Sequence, residues 1–301
     1  MNILFRADSS SDIGTGHIMR NLVLAQQLEK KYPHANITFA VQNLSGNINH
    51  KIKEKKYKIK ILQSNSKQEL TQLIKELKID LLVIDHYEID SKKERYIKEK
   101  TDVKILSFDD TYEKHYCDIL LNHNINAEKK RYKGLVPKQC EVRCGSKYTL
   151  LRDEFYKEQK KKYKKKSKNT RVFVAMGGAD HSNINIKILK VLKKFDNIKV
   201  ELVTTTANKH LSELKKYCKN KKWISLHINS NKIAKLMRKS DFAIVTPSVT
   251  VNEVYFMGLN FLAIQTADNQ EEMYQYLKNN HFMVLHGFKN TKIKQTIRRL
   301  S

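Results

Sequence analysis

Short apolar runs alternate with amphipathic stretches along this chain, and this alternation limits the folds that it can adopt. The runs "MNILFRA", "NITFAVQ" and "DLLVIDHY" are apolar over several consecutive residues, and "VKILSFDD" and "CDILLN" follow them. Strands that are apolar on both faces are typical of parallel sheets covered by helices on either side. The first half of the chain is therefore predicted to be an α/β fold built from βαβ units.

Helical signals lie between these strands. The stretch "HIMRNLVLAQQLEKKY" places Ile18, Leu22, Ala25 and Leu28 at helical spacing. A second helix, "SKQELTQLIKELK", begins with a Ser-x-x-Glu capping box. The alternation starts again with "RVFVAMGGADHSN" and continues through "IKVELVTT", "FAIVTPS" and "LNFLAIQT". Because 301 residues suit two domains of about 150 residues each, we predict two similar halves.

The boundary between the halves is predicted at a lysine-dense segment, "FYKEQKKKYKKKSKNT", which has little periodicity. We predict an N-terminal Rossmann-like domain over residues 1–155, a basic linker over 156–170 and a C-terminal Rossmann-like domain over 171–301. Ligands of open α/β sheets bind at the carboxyl ends of the strands. Two doubly wound domains are therefore expected to face each other across a cleft that holds the ligand.

The formal net charge of +27 raises the question of a nucleic-acid partner, since phosphate contacts dominate such binding. The lysines are spread along the whole chain, and no zinc-finger or RNP signature accompanies them. We therefore expect no specific nucleic-acid partner. A non-catalytic protein that binds nucleic acid or another anion remains an alternative.

Cysteine usage and hydropathy bear on location and on metals. The four cysteines form no CxxC pair, the N-terminus lacks the apolar core of a signal peptide, and no apolar run reaches membrane-spanning length. A cytoplasmic protein with free thiols and no membrane insertion is expected.

His115, Cys117, Cys140 and Cys144 can be combined into a zinc site, but Cys-x3-Cys is not the common knuckle spacing. No Asp-x-Asp pair occurs, so we predict no metal and no cofactor.

The turn after the first strand, within "FRADSSSDIGTGHIMR", is a candidate catalytic site. Gly14 and Gly16 allow a tight turn that exposes backbone N–H groups at the start of a helix, where anions bind. The turn is neither a complete G-x-G-x-x-G fingerprint nor a Walker A loop. His17 follows at the helix start, where the dipole lowers the pKa of an imidazole. A neutral imidazole can accept a proton, although a histidine there can also be a mere cap or loop residue.

The second half contains two candidate phosphate sites. Gly177 and Gly178 follow a strand, while Ser248 and Thr250 lead into a helix that carries Glu253. Both places can receive phosphate oxygens. A carboxylate in this position either stabilises the helix N-terminus or accepts the two ribose hydroxyls of a nucleotide, and spacing alone leaves both interpretations open.

Six motifs, "IGTGHIMR", "VIDHY", "LLNHN", "GSKYTLLRDEF", "MGGAD" and "TPSVTVNE", occur in that order over essentially the whole chain. Together they resemble the nucleotide-sugar hydrolases of pseudaminic acid biosynthesis. The resemblance implies cleavage of UDP-2,4-diacetamido-2,4,6-trideoxy-β-L-altropyranose into UDP and the free sugar. It also implies a glycosyltransferase-B type fold, like that of the UDP-GlcNAc transferase that completes lipid II.

The resemblance assigns roles to individual residues. It makes His17 the general base that activates water, which attacks the anomeric carbon with inversion. Arg152 is expected to stabilise the leaving diphosphate, Glu253 to bind the ribose and Ile233 to line the uracil pocket. Asp8, Asp85 and Tyr87 are expected either to orient the histidine or the water or to form structural hydrogen bonds at strand ends, and Asn252 and Asn269 are expected at the diphosphate or sugar.

A UDP-sugar-dependent glycosyltransferase is the nearest alternative function. Membrane-bound transferases commonly carry an apolar patch near the acceptor site, and the loop "NLSGNINHKIKEKK" has none. The expected partner is thus a small UDP-sugar. The sequence leaves the oligomeric state open, and we favour a monomer.

Overall fold

Thirteen strands and eleven α-helices alternate along the part of the chain that the computed structural model describes, residues 1–161, 168–178, 180 and 182–299. The chain divides into two units, Met1–Leu150 and Leu151–Ser301. Each unit is a parallel sheet flanked by helices, so the predicted fold class of two doubly wound α/β domains is confirmed. No helix within these described residues is both long and apolar enough to cross a membrane.

The first unit contains a seven-stranded sheet in the order β3-β2-β1-β4-β5-β6-β7. All of its strand pairs are parallel. Its elements are β1 (Asn2–Ala7), α1 (Gly16–Lys31), β2 (Asn36–Val41), α2 (Asn49–Glu54), β3 (Lys58–Ile61), α3 (Lys67–Glu76), β4 (Leu81–Asp85), α4 (Ser91–Lys100), β5 (Lys104–Phe108), β6 (Ile119–Asn122) and β7 (Glu141–Cys144).

The two faces of this sheet have separate cores because successive side chains of a strand point to opposite sides. Ile3 and Phe5 of β1 pack with Ile18 of α1, whereas Leu4 packs on the other face with Leu70 of α3. All five side chains are buried. Each such side chain contributes about 1.5–3 kcal/mol on burial, which explains why the central strands are apolar at consecutive positions.

The second unit contains a six-stranded sheet in the order β10-β9-β8-β11-β12-β13, again with parallel pairs throughout. One apolar cluster includes Val172, Val174 and residues of the flanking helices. The elements are α5 (Asp153–Gln159), β8 (Thr170–Ala175), α6 (Ile184–Leu192), β9 (Ile198–Thr204), α7 (Leu211–Cys218), β10 (Ile224–Ile228), α8 (Ile233–Lys239), β11 (Phe242–Val245), α9 (Val249–Phe256), β12 (Phe261–Gln265), α10 (Glu271–Asn279), β13 (Met283–His286) and α11 (Asn290–Arg298).

The two sheets repeat one topology. In each sheet, the first strand of the unit pairs with the second strand on one side and with the fourth strand on the other. The first three strands therefore build the sheet toward one edge, and the fourth and later strands build it toward the opposite edge. This arrangement creates a topological switch point between β1 and β4 in the first unit, and between β8 and β11 in the second. Loops at the carboxyl ends of such strand pairs form the usual ligand site of an open α/β sheet.

The division between the units falls after Leu150, earlier than the predicted end of the first domain at residue 155. Helix α5 packs against α8 of the second unit and buries Phe155. The Gln159 amide donates a hydrogen bond to the carbonyl of Phe256, 2.8 Å away. The start of the predicted basic linker, 156–159, is thus helical and part of the second unit. Residues 162–167 of that linker lie outside the described residues.

His115 and the cysteines considered as a zinc site have other partners. Nδ1 of His115 lies 2.8 Å from Oε1 of Glu94, and its Nε2 lies 3.8 Å from Oδ1 of Asp109. The Cys117 and Cys140 sulfurs are 3.7 Å apart as free thiols. No cluster of three or more His, Cys, Asp or Glu suited to a metal occurs among the residues described.

The pairing of His115 predicts a pH-dependent stability. Burial alone lowers the pKa of His115, but the Asp109 and Glu94 carboxylates outweigh it and raise the pKa to about 10. When folding raises the pKa of a histidine, its protonation stabilises the folded protein. This stabilisation is complete below the unfolded pKa of about 6.5 and is lost as the pH rises through the folded pKa. We therefore expect His115→Gln to be less stable than the parent protein by about 1–3 kcal/mol at pH 6.

That difference should shrink steadily between pH 7 and pH 10. The measurement is urea unfolding of the full chain at several pH values. His34→Gln, which changes an exposed histidine of the same unit, is the control. A stability difference that stays constant over this pH range would contradict the assignment of a charged His115.

Candidate functional site

The turn between β1 and α1 forms the first part of the site. Gly14 has a φ of +78°, a conformation that glycine adopts without steric cost. Its N–H donates to the carbonyl of Ser10 at 3.0 Å, which closes the turn. Helix α1 begins two residues later at Gly16, and His17 lies in its first turn.

His17 packs against residues that follow β4, the neighbour of β1. Its Nδ1 lies 3.8 Å from Oδ1 of Asp85, the last residue of β4. The Tyr87 ring meets the imidazole edge-on, with ring centroids 5.0 Å apart. The structure therefore brings three predicted residues together at the switch point of the first unit, where adjacent parallel strands end.

Burial lowers the pKa of the His17 imidazole, and the Arg20 and His86 charges lower it further, while Asp85 and Asp110 oppose this. The predicted direction of the shift is confirmed. Its main cause is the loss of water around the ring, which disfavours the charged form. At neutral pH the imidazole is thus uncharged and able to accept a proton.

Two residues one helical turn after His17 bind Asp85, and neither was predicted from the sequence. Arg20 donates from Nε and Nη2 to the two carboxylate oxygens at 2.7 and 2.5 Å. Asn21 donates from Nδ2 to Oδ2 of Asp85 at 2.6 Å. Arg20 and Asn21 lie three and four residues after His17, on one face of α1. Their helical spacing from His17 within "GHIMRN" is the sequence signal that could have identified both residues.

A second carboxylate, Asp110, extends this cluster beyond the end of β5. It accepts hydrogen bonds from Nη1 of Arg20 at 2.9 Å and from the Tyr87 hydroxyl at 3.0 Å. Burial and the Asp110 charge raise the pKa of Tyr87 to about 12. The hydroxyl of Tyr87 therefore stays protonated and fixes the ring that packs on His17.

His123, in the "LLNHN" motif, is buried beside the same cluster. Neither ring nitrogen has a hydrogen-bond partner within the described chain, and the ring stands edge-on to Phe108 at 6.2 Å. Burial and the nearby Arg20 charge lower the pKa of His123 to about 3. This imidazole is neutral at the carboxyl end of β6, and sequence analysis did not select it.

Asp8 was predicted to support His17. The structure places its carboxylate against other groups, 2.5 Å from Nη2 of Arg6 and 3.2 Å from Nε2 of His86. It also accepts the backbone N–H of Gln42 at 2.6 Å. These contacts tie the end of β1 to the ends of β2 and β4, and a role of Asp8 toward His17 stays a prediction.

The second unit holds a cavity of about 140 Å³ at its own switch point. Five predicted residues line it: Gly177, Gly178, Ile233, Thr250 and Glu253. The remaining walls come from β8 and from the end of β9. Residues that are far apart in the sequence therefore share one pocket, formed where β8 and β11 end.

Gly178 is required by a close approach to the loop after β9. A Cβ atom at this position would lie 2.9 Å from the Oγ1 and Cγ2 atoms of Thr205. The Gly178 carbonyl accepts hydrogen bonds from the hydroxyls of Thr204 and Thr205 at 3.2 and 3.0 Å. A larger residue would push this loop outward, so the glycine sets the width of the pocket.

Glu253 is the acidic residue of this pocket, on the second turn of α9. Its Oε1 lies 3.3 Å from Nη2 of Arg152, and Nη1 of Arg152 lies 2.8 Å from Oε1 of Glu154. Burial raises the pKa of Glu253 to about 7, which the Arg152 charge partly opposes. The structure thus pairs two residues for which we predicted separate roles.

Three other predicted residues are not among those that line this cavity. Ser248 precedes α9, and its hydroxyl lies 3.0 Å from the Thr246 hydroxyl. Asn252 is buried in α9. Asn269 is exposed in the short 3₁₀ helix Asp268–Gln270. Their roles toward the diphosphate or sugar remain predictions.

Comparison with known proteins identifies the family. No family model matches the chain. A curated relative from Campylobacter jejuni, UDP-2,4-diacetamido-2,4,6-trideoxy-β-L-altropyranose hydrolase, is 44% identical over 284 residues, covering 94% of this chain and 98% of the relative. The chain belongs to this hydrolase family. The resemblance expected from the sequence motifs is confirmed.

Solved glycosyltransferase structures share the fold of this hydrolase family member. MurG of Acinetobacter baumannii superposes with a TM-score of 0.63 at 13% identity, covering 99% of this chain and 90% of MurG. The spinosyn rhamnosyltransferase SpnG gives a TM-score of 0.68 at 9% identity, covering 100% of this chain and 91% of SpnG. These similarities establish the glycosyltransferase-B type fold alone.

The charges around Glu253 predict that two substitutions shift its pKa in opposite directions. Arg152→Met removes the nearby cation and should raise the pKa of Glu253 above 7, whereas Glu154→Gln removes a like charge and should lower it. Carbon NMR of glutamate-labelled hydrolase measures both, with Glu253→Gln identifying the signal. Equal titration in the two variants would contradict the pairing of Arg152 with Glu253.

Proposed function

We propose that this protein hydrolyses UDP-2,4-diacetamido-2,4,6-trideoxy-β-L-altropyranose and releases UDP and the free sugar, as a step of pseudaminic acid biosynthesis. The observation that carries the proposal is the 44% identity with the Campylobacter hydrolase over nearly the whole of both chains. The neutral imidazole of the first unit and the pocket of the second unit support it, because the reaction needs a base and a nucleotide site.

In the proposed reaction, Nε2 of His17 takes a proton from a water molecule. The water oxygen forms a bond to the anomeric carbon while the bond from this carbon to the phosphate oxygen breaks, and the electron pair leaves with UDP. Attack opposite the leaving group inverts the anomeric configuration. The imidazolium then faces the Asp85 carboxylate at 3.8 Å, which stabilises it until the proton passes to solvent.

The proposed nucleotide contacts come from the second unit. UDP is a good leaving group that needs charge stabilisation more than protonation, and the backbone N–H groups at Gly177 and Gly178 with the Arg152 guanidinium can supply it. The Glu253 carboxylate would accept the ribose hydroxyls, and Ile233 would pack against the uracil. Thr250, at the start of α9, adds a donor for phosphate oxygens.

The proposal also covers the oligomeric state, the location and the metal requirement of the protein. One chain carries both the base and the nucleotide pocket, so the reaction requires no second subunit, and we propose a monomer. The four free thiols support a cytoplasmic location. We propose that no metal takes part, and incubation with a chelator tests this, because activity that is lost and then restored by Mg²⁺ would contradict it.

The experiment that tests the function is incubation of the purified protein with a panel of UDP-diacetamido-trideoxy-hexoses, with the anomeric product followed by NMR. We expect UDP release in water alone, with inverted sugar as the first product. UDP release only after addition of a hydroxyl acceptor would identify a glycosyltransferase instead.

His17→Leu is expected to lower UDP release at least a hundredfold, because the proposed base is removed. UDP affinity, measured by calorimetry, should stay within about threefold, since the nucleotide pocket lies in the other unit. His34→Leu changes an exposed histidine of the first unit and should retain full activity. Turnover by His17→Leu at the parent rate would remove His17 from the mechanism.

Glu253→Ala is expected to weaken UDP binding about tenfold or more, because two ribose hydroxyls would lose their acceptor. UDP affinity of the parent protein should also fall as the pH drops below about 7, where Glu253 becomes protonated. Glu201→Ala is a matched control, since Glu201 pairs with His227 on the same sheet and does not line the pocket. Unchanged UDP affinity in Glu253→Ala would rule out the ribose role.

A further inference from the structure

We propose that Arg20 is a positioning residue for the hydrolysis, one that fixes the Asp85 carboxylate against Nδ1 of His17 and offsets its negative charge. This inference rests on the proposed function, in which His17 is the base. It goes beyond that function because it assigns the control of the base to a residue that would not touch the substrate.

The first support is the geometry around Asp85. Arg20 donates to both carboxylate oxygens, at 2.7 and 2.5 Å, and Asn21 adds a third bond of 2.6 Å to Oδ2. Oδ1 is the atom that faces His17. Two parallel bonds from one planar guanidinium fix the plane of the carboxylate as well as its position. The direction in which Oδ1 points is therefore set by Arg20.

The second support is that Arg20 itself is held from several sides. Its Nη1 donates to Asp110 at 2.9 Å, and its guanidinium carbon lies 5.0 Å from the centre of the Phe108 ring. Only 11% of its side chain is exposed. Helix α1 places Arg20 one turn after His17, so that base and guanidinium move as one body. A lysine could not reproduce this, because a point charge lacks the planar fork of donors.

The third support is the balance of charge around the imidazole. The charged and titratable groups that face His17 are Asp85 and Asp110, which favour its protonation, and Arg20 and His86, which oppose it. Tyr87 adds a neutral ring. Without Arg20 the imidazole would face the buried Asp85 carboxylate and the partly exposed Asp110 carboxylate with no guanidinium to offset them. The pKa of His17 would then rise, which makes the imidazole a poorer base at a given pH.

Two variants of Arg20 separate the effects of charge and geometry. Arg20→Gln removes the cation, so the His17 pKa should rise by about one unit or more, and the acid limb of the pH profile of kcat/KM should move upward equally. Arg20→Lys keeps the charge but loses the fork. It should lower kcat about ten- to hundredfold through misplacement of Asp85, with a much smaller shift of the acid limb.

The readouts are NMR titration of labelled histidine in the full protein, with His17→Leu identifying the signal, and UDP release as a function of pH. Arg20→Gln leaves the buried Asp85 carboxylate without its cation and can destabilise the fold. The double variant Arg20→Gln/Asp85→Asn removes both charges and should return the His17 titration to the parent position or below. Arg143→Gln, which removes a bidentate arginine–glutamate pair from the same unit, should leave the titration and the pH profile unchanged.

A His17 titration that does not move in Arg20→Gln, or one that stays raised in the double variant, would overturn the inference. So would losses of kcat that are equal in all Arg20 variants without any shift of the acid limb, since a purely structural role predicts that result. Failure of the proposed function looks different. In that case the parent protein releases no UDP, while the histidine titration still decides whether Arg20 controls His17.

Discussion

Both sheets pair their strands in parallel throughout, and the position of each candidate site follows from this pairing. When every strand of a sheet runs in one direction, the carboxyl ends of all strands meet at one edge, and the loops that follow them become neighbours. His17 follows β1 and Asp85 ends β4, while Gly178 follows β8 and Glu253 lies just after β11. In both units these residues lie beside the central strand pair, β1 and β4 or β8 and β11, where the chain connections switch from one edge of the sheet to the other.

Each site contains a carboxylate whose charge depends on a neighbouring arginine. Asp85 is ionised because Arg20 binds both of its oxygens, and the His17 beside it is uncharged because it has lost its water. Glu253 has a pKa near neutrality because a single guanidinium contact from Arg152 offsets its burial only in part. Asp85 is held as an anion by two bonds from Arg20 and one from Asn21, whereas Glu253 has one contact from Arg152 and the like charge of Glu154 nearby and can therefore titrate.

The sequence predicted the elements and the residues that belong to local patterns. Strand–turn–helix patterning made His17, Gly178 and Glu253 candidates, and the resemblance to the hydrolase family supplied the roles of His17 and Glu253. Asp110 and His123 were missed, since their importance depends on β5 and β6 lying on one side of β4, which no local pattern encodes. The contacts of Asp8 with Gln42 and His86 are likewise tertiary, as is the α5–α8 packing that places the division between the units after Leu150. Arg20 was within reach of prediction from its helical spacing to His17.

In the proposed reaction, an uncharged His17 directs water to the anomeric carbon and not to phosphorus. Hydrolysis in water enriched in ¹⁸O distinguishes the two sites of attack, with the mass of the released UDP as the readout. We expect unlabelled UDP, because the oxygen between the sugar and the phosphate leaves with the nucleotide. Incorporation of one ¹⁸O atom into UDP would show attack at phosphorus and would rule out the proposed reaction.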